Sequence, residues 1–313
     1  MELRPLGRSG LKTAPWAFGG NVFGWTADKE TSFTLLDAFV GEGFSLIDTA
    51  DAYSAWAPGH KGGESETVMG EWFAARPGVR DKVLLATKLG MLAPNDGLKA
   101  TQIEAAVEAS LKRLQTDRID LYQSHKDDPE TPLEETLAAY DRLVKSGKVR
   151  AIGASNYDAP RLAEALKVSA DKGLVRYDSL QPAYNLMNRA IEAEIVPLCV
   201  KAEVGIITYY SLASGFLSGK YRSEADLGKS ARGGGIKKYL NDKGFAVLKA
   251  LDEVAEAHGA TPAQVAAAWV MAKPGITAAI ASATSLEQMK DLVAAARLTL
   301  TAEDMAKLDK ASS

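Results

Sequence analysis

Short apolar runs alternate along the chain with longer segments in which apolar residues recur every three or four positions. A period near two is typical of strands, and a period near 3.6 is typical of helices. The short runs predict strands at Trp16–Phe18, Ser45–Asp48, Val83–Lys88, Ile119–Gln123, Val149–Ala154, Ser179–Gln181, Gly205–Tyr210 and Thr277–Ala281. The longer segments predict helices at Thr31–Glu42, Glu64–Ala75, Thr101–Leu114, Leu133–Ser146, Ala159–Ala170, Ala190–Lys201, Phe245–His258, Pro262–Met271, Leu286–Ala296 and Ala302–Lys310.

Regular alternation of strands and helices is typical of a parallel sheet, and eight such units in 313 residues favour closure into one α/β barrel. We therefore predict a single (β/α)8 TIM barrel over residues 1–313, with extra C-terminal helices. The rival is an open doubly wound sheet, but no Gly-x-Gly-x-x-Gly sequence opens a helix after an early strand. Glu2–Leu6 and Leu11–Thr13 flank a Gly-containing turn and predict a hairpin that caps one end of the barrel.

With 46% hydrophobic and 25% charged residues, the chain is typical of a globular protein with a full core. Its formal net charge of −3 argues against a nucleic-acid or anionic-membrane surface, because phosphate neutralisation needs clustered Lys and Arg. Cys199 has no partner for an intrachain disulfide, and Met1–Pro5 lacks the apolar core of a signal peptide. His60, His125 and His258 have no second His or Cys at metal-ligand spacing. We expect a cytoplasmic protein with a small-molecule partner, no metal and no transmembrane segment.

One long irregular stretch, Ser223–Gly244, contains the glycine run Gly233–Gly235 beside Arg232, Lys237 and Lys238. Its place after a predicted strand makes it a candidate flap over a ligand. A solvated, mobile excursion explains the same composition equally well.

Four polar residues, Asp48, Tyr53, Lys88 and His125, fall at or just past the ends of predicted strands. In a parallel barrel these strand ends meet at one rim, so the four residues are expected to share one pocket. A tyrosine hydroxyl, with a reference pKa of about 10, is a weak acid at neutral pH, and a nearby lysine ammonium is expected to lower that pKa. An aspartate keeps the lysine charged, and a histidine hydrogen-bonds a carbonyl oxygen on which charge develops. Together the four suit carbonyl reduction.

Taken singly, each of these residues has an ordinary structural interpretation. On these interpretations, Asp48 caps a helix, Tyr53 is a packed aromatic ring, Lys88 is a solvated ammonium, and His125 is a histidine at the rim whose hydrogen bonds are made within the protein. Their occurrence at successive strand ends favours a shared site. A different alternative makes Lys88 the Schiff-base lysine of a barrel aldolase, although Asp48 beside it opposes this by stabilising the ammonium.

Segments along nearly the whole chain resemble the aldo-keto reductase family in their order and spacing. They are Asp48–Tyr53, Gly63–Glu66, Ala86–Gly90, Tyr122–His125, Ile152–Tyr157, Gln181–Asn185 and Tyr209–Tyr221. The resemblance implies a barrel that binds NADP(H) extended across the rim, with Tyr53 as general acid or base. It also implies that Lys88 and Asp48 adjust the pKa of this tyrosine and that His125 orients the carbonyl group of the substrate.

The same resemblance implies cofactor contacts around the rim. Ser155, Asn156 and Gln181 would hydrogen-bond the nicotinamide carboxamide, and Tyr209 would stack on its ring. Ser211–Gly219 would bring backbone N–H groups close to the pyrophosphate, where glycine permits tight approach. The full predicted set is Gly20, Asn21, Asp48, Ser155, Asn156, Gln181, Tyr209, Tyr210, Ser211, Leu212, Ser214, Gly215, Leu217, Ser282, Thr284 and Gln288.

The substrate side of the site is predicted from three aromatic residues. Phe23, Trp25 and Trp56 lie in loops after the first two predicted strands, where they could form a wall for an apolar carbonyl. They could equally seal the rim. On the cofactor side, Tyr209-Tyr210-Ser211-Leu212 departs from the commoner Tyr-Ser-Pro-Leu, and we favour Tyr209 over Tyr210 as the stacking ring.

The C-terminal region also departs from the usual family pattern. Ala281, Ser282 and Thr284 stand where many relatives carry Pro-Gly-Ala followed by Arg or Lys. A cation there would pair with the 2′-phosphate of NADP, whereas hydroxyl groups only hydrogen-bond it. Leu292 stands where relatives often have an asparagine that contacts adenine. We rank NADP(H) first and keep NAD(H) open.

A second function of another class is compatible with the same residues. Potassium-channel β-subunits share the predicted fold, so the chain could be a nucleotide-sensing regulatory subunit that resembles them. Such a sensor holds its nucleotide tightly and turns over slowly, whereas a metabolic enzyme exchanges it readily.

Overall fold

The chain folds into a ring of parallel strands surrounded by helices, seen here in a computed structural model that describes residues 2–229 and 233–313. Arg232 of the predicted flap lies outside the described residues. The strands are β1 (Arg4–Pro5), β2 (Lys12–Thr13), β3 (Trp16–Gly19), β4 (Leu46–Asp48), β5 (Leu84–Leu89), β6 (Ile119–Ser124), β7 (Val149–Ser155), β8 (Tyr177–Gln181), β9 (Gly205–Thr208) and β10 (Ile276–Ala281). Within the described residues, the eight strands β3 to β10 are parallel and close into a barrel in chain order, with β10 paired to β3. The predicted TIM barrel is confirmed.

The helices pack around the outside of this barrel. They are α1 (Lys29–Gly41), α2 (Glu64–Ala75), α3 (Ala100–Leu114), α4 (Leu133–Lys145), α5 (Ala159–Lys172), α6 (Ile195–Ala202), α7 (Asp242–His258), α8 (Pro262–Ala272), α9 (Leu286–Arg297) and α10 (Ala302–Ala311). Short 3₁₀ helices occupy Gly20–Val22, Val79–Lys82, Ala190–Glu192, Ala213–Ser218, Glu224–Lys229 and Gly233–Tyr239. The last two lie in the stretch that the sequence predicts to be irregular. No helix in the described part of the chain is long and apolar enough to cross a membrane.

The predicted helix Ala190–Lys201 is wrong at its start. A 3₁₀ turn covers Ala190–Glu192, and α6 begins only at Ile195. The reason is Pro197, which lacks an N–H and is tolerated in the first turn of a helix but not in its interior. A start at Ile195 makes Pro197 the third helical residue.

The predicted hairpin is confirmed, and it closes the end of the barrel opposite the carboxyl ends of the strands. β1 and β2 pair antiparallel, and Leu6 and Leu11 between them belong to a buried apolar cluster with barrel residues that include Ala17, Leu46 and Leu121. Gly7 in the turn has a φ of 57°, and a Cβ there would lie 2.1 Å from the Asp178 carbonyl oxygen. Glycine is therefore required for this close approach.

Candidate active site

The four predicted catalytic side chains come together at the carboxyl end of the barrel. Asp48 ends β4, Lys88 lies near the end of β5, and His125 directly follows β6. Tyr53 lies in the turn after β4. Lys88 Nζ is 2.6 Å from Asp48 Oδ2 and 2.7 Å from the Tyr53 hydroxyl, which is itself 3.2 Å from Asp48 Oδ2. Adjacent parallel strands thus place residues distant in sequence within hydrogen-bonding reach.

Asp48 is the centre of this hydrogen-bond network. Its side chain is buried and accepts from four donors. Oδ2 accepts from Lys88 and Tyr53, while Oδ1 accepts from the amides of Gln123 and Gln181 at 3.1 and 2.9 Å. A carboxylate with this many donors is fixed in both position and orientation.

Gln123 is a site residue that sequence reasoning misses. It is fully buried, and its Oε1 accepts from Gln181 Nε2 at 3.1 Å. The available signal is its position two residues before His125, because alternate residues of a strand face the same side. A buried amide needs polar partners, and Gln123 finds them in Asp48 and Gln181.

Lys88 is held as an ammonium by three acceptors. Nζ donates to Asp48 Oδ2, to the Tyr53 hydroxyl and to the Thr49 carbonyl at 2.9 Å, one acceptor for each N–H bond. Burial lowers the pKa of Lys88, and the negative charge of Asp48 opposes that shift. A neutral, nucleophilic amine would leave Asp48 buried without its charge partner. The arrangement therefore disfavours Schiff-base chemistry.

The pKa of Tyr53 differs from the expectation drawn from sequence. Burial raises this pKa well above its ordinary value, and the negative charge of Asp48 raises it further. The expectation that Lys88 lowers the pKa of Tyr53 is wrong for this structure, because desolvation and Asp48 outweigh the nearby ammonium. At neutral pH Tyr53 carries its proton, as a proton donor must.

His125 is neutral. Burial, followed by the positive charges of Lys88 and Lys126, lowers the pKa of His125 to about 3. Its Nδ1 is buried, with no hydrogen-bond partner among the residues that the structure describes. The His125 and Tyr53 rings meet edge to face, with centroids 5.9 Å apart. A neutral imidazole and a protonated phenol thus lie side by side, and both are able to hydrogen-bond one carbonyl oxygen.

A second cluster of charged residues lies between β5 and helices α2 and α3. Glu66 of α2 is fully buried, with Oε1 accepting from Thr87 Oγ1 at 2.6 Å and Oε2 accepting from Arg113 Nε at 2.7 Å. Asp51 donates its backbone N–H to the Lys88 carbonyl, and its Oδ1 is buried without a hydrogen-bond partner in residues 2–229 and 233–313. Burial, followed by the charge of Glu66, raises the pKa of Asp51 to about 7. Sequence reasoning includes Asp51 and Glu66 in matching segments but gives them no role.

Residues predicted around the nicotinamide form a connected strip beside His125. Asn156 Nδ2 donates to the His125 carbonyl at 3.0 Å and to Ser155 Oγ at 3.1 Å, and Ser155 Oγ donates to the Gln181 carbonyl at 2.9 Å. The Tyr209 hydroxyl donates to Asn156 Oδ1 at 2.6 Å. Asn156 is exposed and has a φ of 61°, a left-handed conformation that asparagine tolerates. This strip is polar, internally hydrogen-bonded and adjacent to the four clustered side chains.

The segment predicted for the pyrophosphate leaves β9 in a strained turn. Ala213, Ser214 and Gly215 have φ values of 48°, 58° and 98°, and Tyr210 before them has 57°. Positive φ in non-glycine residues persists only where the surrounding structure fixes it, and such strain is concentrated at functional sites. The remaining predicted members are Ser211, whose Oγ donates to the Ile280 carbonyl, the half-buried Leu212 and the buried Leu217.

The comparison that decides the family is a match of residues 15–313 to the model of the aldo/keto reductase family. The chain belongs to the aldo/keto reductase family. It is an oxidoreductase of that family, and the four clustered side chains are the ones that the resemblance singles out.

Relatives of this aldo/keto reductase match over nearly their full length. The chain is 34% identical to the uncharacterized oxidoreductase YrpG of Bacillus subtilis, over 99% of this chain and 95% of the relative. It is also 34% identical to the aldo-keto reductase YhdN of B. subtilis, over 95% and 87%. A probable voltage-gated potassium channel subunit beta of Arabidopsis thaliana is 31% identical, over 93% and 90%.

In this aldo/keto reductase, a hydrogen bond joins predicted cofactor residues from opposite ends of the chain. Ser282 Oγ donates to Asn21 Oδ1 at 2.6 Å, and Gly20 lies beside Asn21 with its carbonyl accepting from Ser65 Oγ. Thr284 donates through both N–H and Oγ1 to Gln288 Oε1, at 2.9 and 3.2 Å. Hydroxyl and amide groups thus occupy the places where the resemblance leads us to expect a cation.

Leu292 and Phe23 are both in the core. Leu292 is 4% exposed, so no adenine contact is assigned to it. Phe23 is 0% exposed and stacks on Phe18 with ring centroids 5.3 Å apart. We withdraw Phe23 from the predicted aromatic wall, because a fully buried ring offers no surface to a substrate. Trp25 and Trp56 remain, with ring centroids 5.5 Å apart.

Proposed function

We propose that this aldo/keto reductase interconverts aldehydes or ketones with alcohols, with NADP(H) as hydride carrier and Tyr53 as proton donor. The observation that carries the proposal is the Tyr53 hydroxyl itself. It lies 2.7 Å from a buried lysine ammonium and 3.2 Å from a buried aspartate, and its raised pKa keeps it protonated.

The residues of this chain account for the proton half of such a reaction. A reduced nicotinamide supplies a hydride to the carbonyl carbon when it is bound. Tyr53 gives its proton to the carbonyl oxygen, and the Lys88 ammonium stabilises the phenolate that remains. Asp48 holds Lys88 in place, and neutral His125 hydrogen-bonds the carbonyl oxygen without competing as an acid.

The residues present also fit a nicotinamide nucleotide. The strip of Ser155, Asn156 and Tyr209 offers amide and hydroxyl groups beside His125, and Asn156 is exposed to solvent. The run Ala213–Gly215, which the resemblance places beside the pyrophosphate, is a turn with three successive positive φ values, in which the N–H groups of Ala213 and Gly215 donate to the carbonyls of Tyr210 and Leu212. At the adenosine end, Ser282 and Thr284 accommodate either dinucleotide, so the order NADP(H) before NAD(H) rests on the family resemblance alone.

The experiment that tests the proposal is a titration of the purified protein with NADPH and with NADH, followed by addition of aldehydes and ketones. Nicotinamide fluorescence and quenching of protein emission report binding, and loss of nicotinamide absorbance reports turnover. Binding followed by carbonyl-dependent oxidation is expected. Failure of both nucleotides to bind would remove the cofactor assignment.

A regulatory function remains the second candidate because of the channel β-subunit relative, at 31% identity over nearly the whole chain. The same protein loaded with NADPH distinguishes the two functions by its rate of nucleotide release. Release on the timescale of turnover supports a metabolic enzyme. Nucleotide that stays bound through gel filtration, together with very slow carbonyl reduction, supports the sensor.

A further inference from the structure

An arc of aromatic rings runs outward from His125 at the centre of the site. Its rings, in order, are His125, Tyr53, Trp56 and Trp25. Successive ring centroids lie 5.9, 5.9 and 5.5 Å apart, with interplanar angles of 72°, 63° and 82°. Every contact is edge to face, the arrangement that aromatic quadrupoles favour. The arc therefore runs from His125 past the proposed proton donor, Tyr53, to the exposed Trp56.

Trp56 is the exposed ring of the arc, so a ligand is able to reach it, whereas Trp25 beyond it is half-buried. Its side chain is 51% exposed, although it is large, apolar and in contact with Tyr53. Large exposed apolar rings next to a catalytic group are typical of ligand contacts. Since neutral His125 completes the inner end, none of the four rings carries a formal charge that would select an ionic substrate.

The turn that carries Trp56 is held in place by several contacts. The Glu64 carboxylate accepts from the backbone N–H groups of Lys61 and Gly62, at 2.7 and 2.9 Å. Ala57, the neighbour of Trp56, is buried, and its N–H donates to the Ser54 carbonyl. A Cβ at Gly62 would lie 2.6 Å from Leu92 Cδ1, so this turn packs closely on the loop after β5. The ring is thus presented by an ordered turn, which lowers the entropic cost of binding a ligand against it.

We propose that Trp56 is a specificity-determining residue that selects planar aromatic carbonyl compounds, by extending the edge-to-face series from Tyr53 to the ring of the substrate. The inference rests on the proposed function and names its substrate class. A saturated ring of similar size fills the same space but lacks the quadrupole. The discrimination comes from ring electronics and planarity rather than from buried area.

The test compares benzaldehyde with cyclohexanecarbaldehyde, which have similar size but differ in aromaticity. We measure kcat/KM for both in the wild type and in Trp56→Leu, Trp56→Phe and Phe245→Leu. Phe245 is a 42% exposed aromatic residue on α7, outside the site, and serves as the matched control. Because the two aldehydes differ in intrinsic reactivity, the decisive quantity is the change in their kcat/KM ratio on substitution.

Trp56→Leu is expected to lower the benzaldehyde to cyclohexanecarbaldehyde ratio by about twofold to tenfold, the effect of one edge-to-face aromatic contact. Trp56→Phe is expected to keep most of the ratio, and Phe245→Leu all of it. An unchanged ratio in Trp56→Leu, or an equal loss with both aldehydes, would overturn the inference.

Binding of the corresponding alcohols separates this inference from the proposed reaction. Calorimetric titration with benzyl alcohol and cyclohexylmethanol needs no turnover. If the wild type reduces neither aldehyde, the proposed function fails, and the alcohols decide the inference. Tighter binding of benzyl alcohol that is lost in Trp56→Leu sustains it, whereas equal binding of the two alcohols, or none, overturns it.

Discussion

Lys88 Nζ lies 2.6 Å from Asp48 Oδ2, and each side chain is only 1% exposed. Removing two opposite charges from water costs free energy that their attraction offsets only while both are present. The pair is therefore both a stability element and a functional element.

Lys88→Met should destabilise the fold strongly, because it leaves Asp48 buried without its charge partner. We expect a loss of about 3–5 kcal/mol in the free energy of unfolding. The double variant Asp48→Asn/Lys88→Met should be less destabilised than Lys88→Met alone. Urea unfolding measures both.

The control is Arg222→Met, which breaks the ion pair between Arg222 and Asp252. The side chains of these two residues are 44% and 46% exposed, so the substitution should lower the free energy of unfolding by less than about 1 kcal/mol. Equal losses in Lys88→Met and Arg222→Met would contradict the prediction.

Tyr53→Phe should abolish most of the carbonyl turnover while leaving the nucleotide bound. General acid catalysis contributes about 10²–10⁴-fold, so kcat should fall by that factor with any substrate that the wild type accepts. Fluorescence titration with NADPH should give a dissociation constant close to that of the wild type. Tyr140→Phe, which removes a buried hydroxyl of α4 that pairs with Ser124 Oγ, is the control. A Tyr53→Phe protein with wild-type turnover would remove the assigned acid role.

His125 should stay neutral across the physiological range. Because its pKa is lowered to about 3, its ring signals in a nitrogen NMR titration should not move between pH 5 and pH 8. The His125→Asn variant identifies which signals belong to this ring. The lowered pKa of His125 contributes to the stability of the fold at pH values above the unfolded-state pKa of about 6.5. This contribution is lost as the pH falls from 6.5 toward the folded-state pKa of about 3. A transition of the His125 signals near pH 6 would refute the prediction.

Asp51 should make the fold less stable as the pH rises. Its pKa is raised from 3.8 to about 7, so the folded state binds a proton that the unfolded chain has released. Its contribution is complete below pH 3.8 and is lost as the pH passes through 7. Between pH 5 and pH 8 the wild type should lose about 2–3 kcal/mol relative to Asp51→Asn.

Urea unfolding at the two pH values measures this difference. Asp96→Asn, at an exposed position in the loop after β5, is the control and should follow the wild type. If Asp51→Asn loses as much stability as the wild type between pH 5 and pH 8, the carboxyl of Asp51 is already ionised at pH 5 and the prediction fails.

The sequence predicts the barrel and the clustering of Asp48, Tyr53, Lys88 and His125 because both follow from periodicity. Strand ends are visible in the apolar runs, and parallel closure brings those ends to one rim. The network around Asp48 was only partly predictable. Gln123 lies in β6, two residues before His125, which directly follows that strand. Alternation gives this signal, but nothing in the sequence shows which polar groups Gln123 contacts.

The pKa of Tyr53 was not predictable from sequence. The direction in which this pKa shifts depends on whether desolvation and the charge of Asp48 outweigh the charge of Lys88. That balance is set by burial and by differences in distance of a few tenths of an ångström. Whether Phe23 is buried or faces the substrate also depends on the three-dimensional structure. Phe23, Trp25 and Trp56 are equally aromatic in the sequence, and only the path of the loops shows that Phe23 points into the core.

The pairing of β10 with β3 has a consequence for synthesis of the protein. Trp16 Nε1 donates to the Ala281 carbonyl, 265 positions later, so the ring of strands is completed by nearly the last strand-forming residues to be translated. A ribosome-bound chain without Ile276–Ala281 exposes the unpaired edges of both β3 and β9. Such edges readily add other extended chains. Nascent copies on neighbouring ribosomes are therefore most prone to aggregate just before the barrel closes, and this is the stage at which chaperones would be of most use.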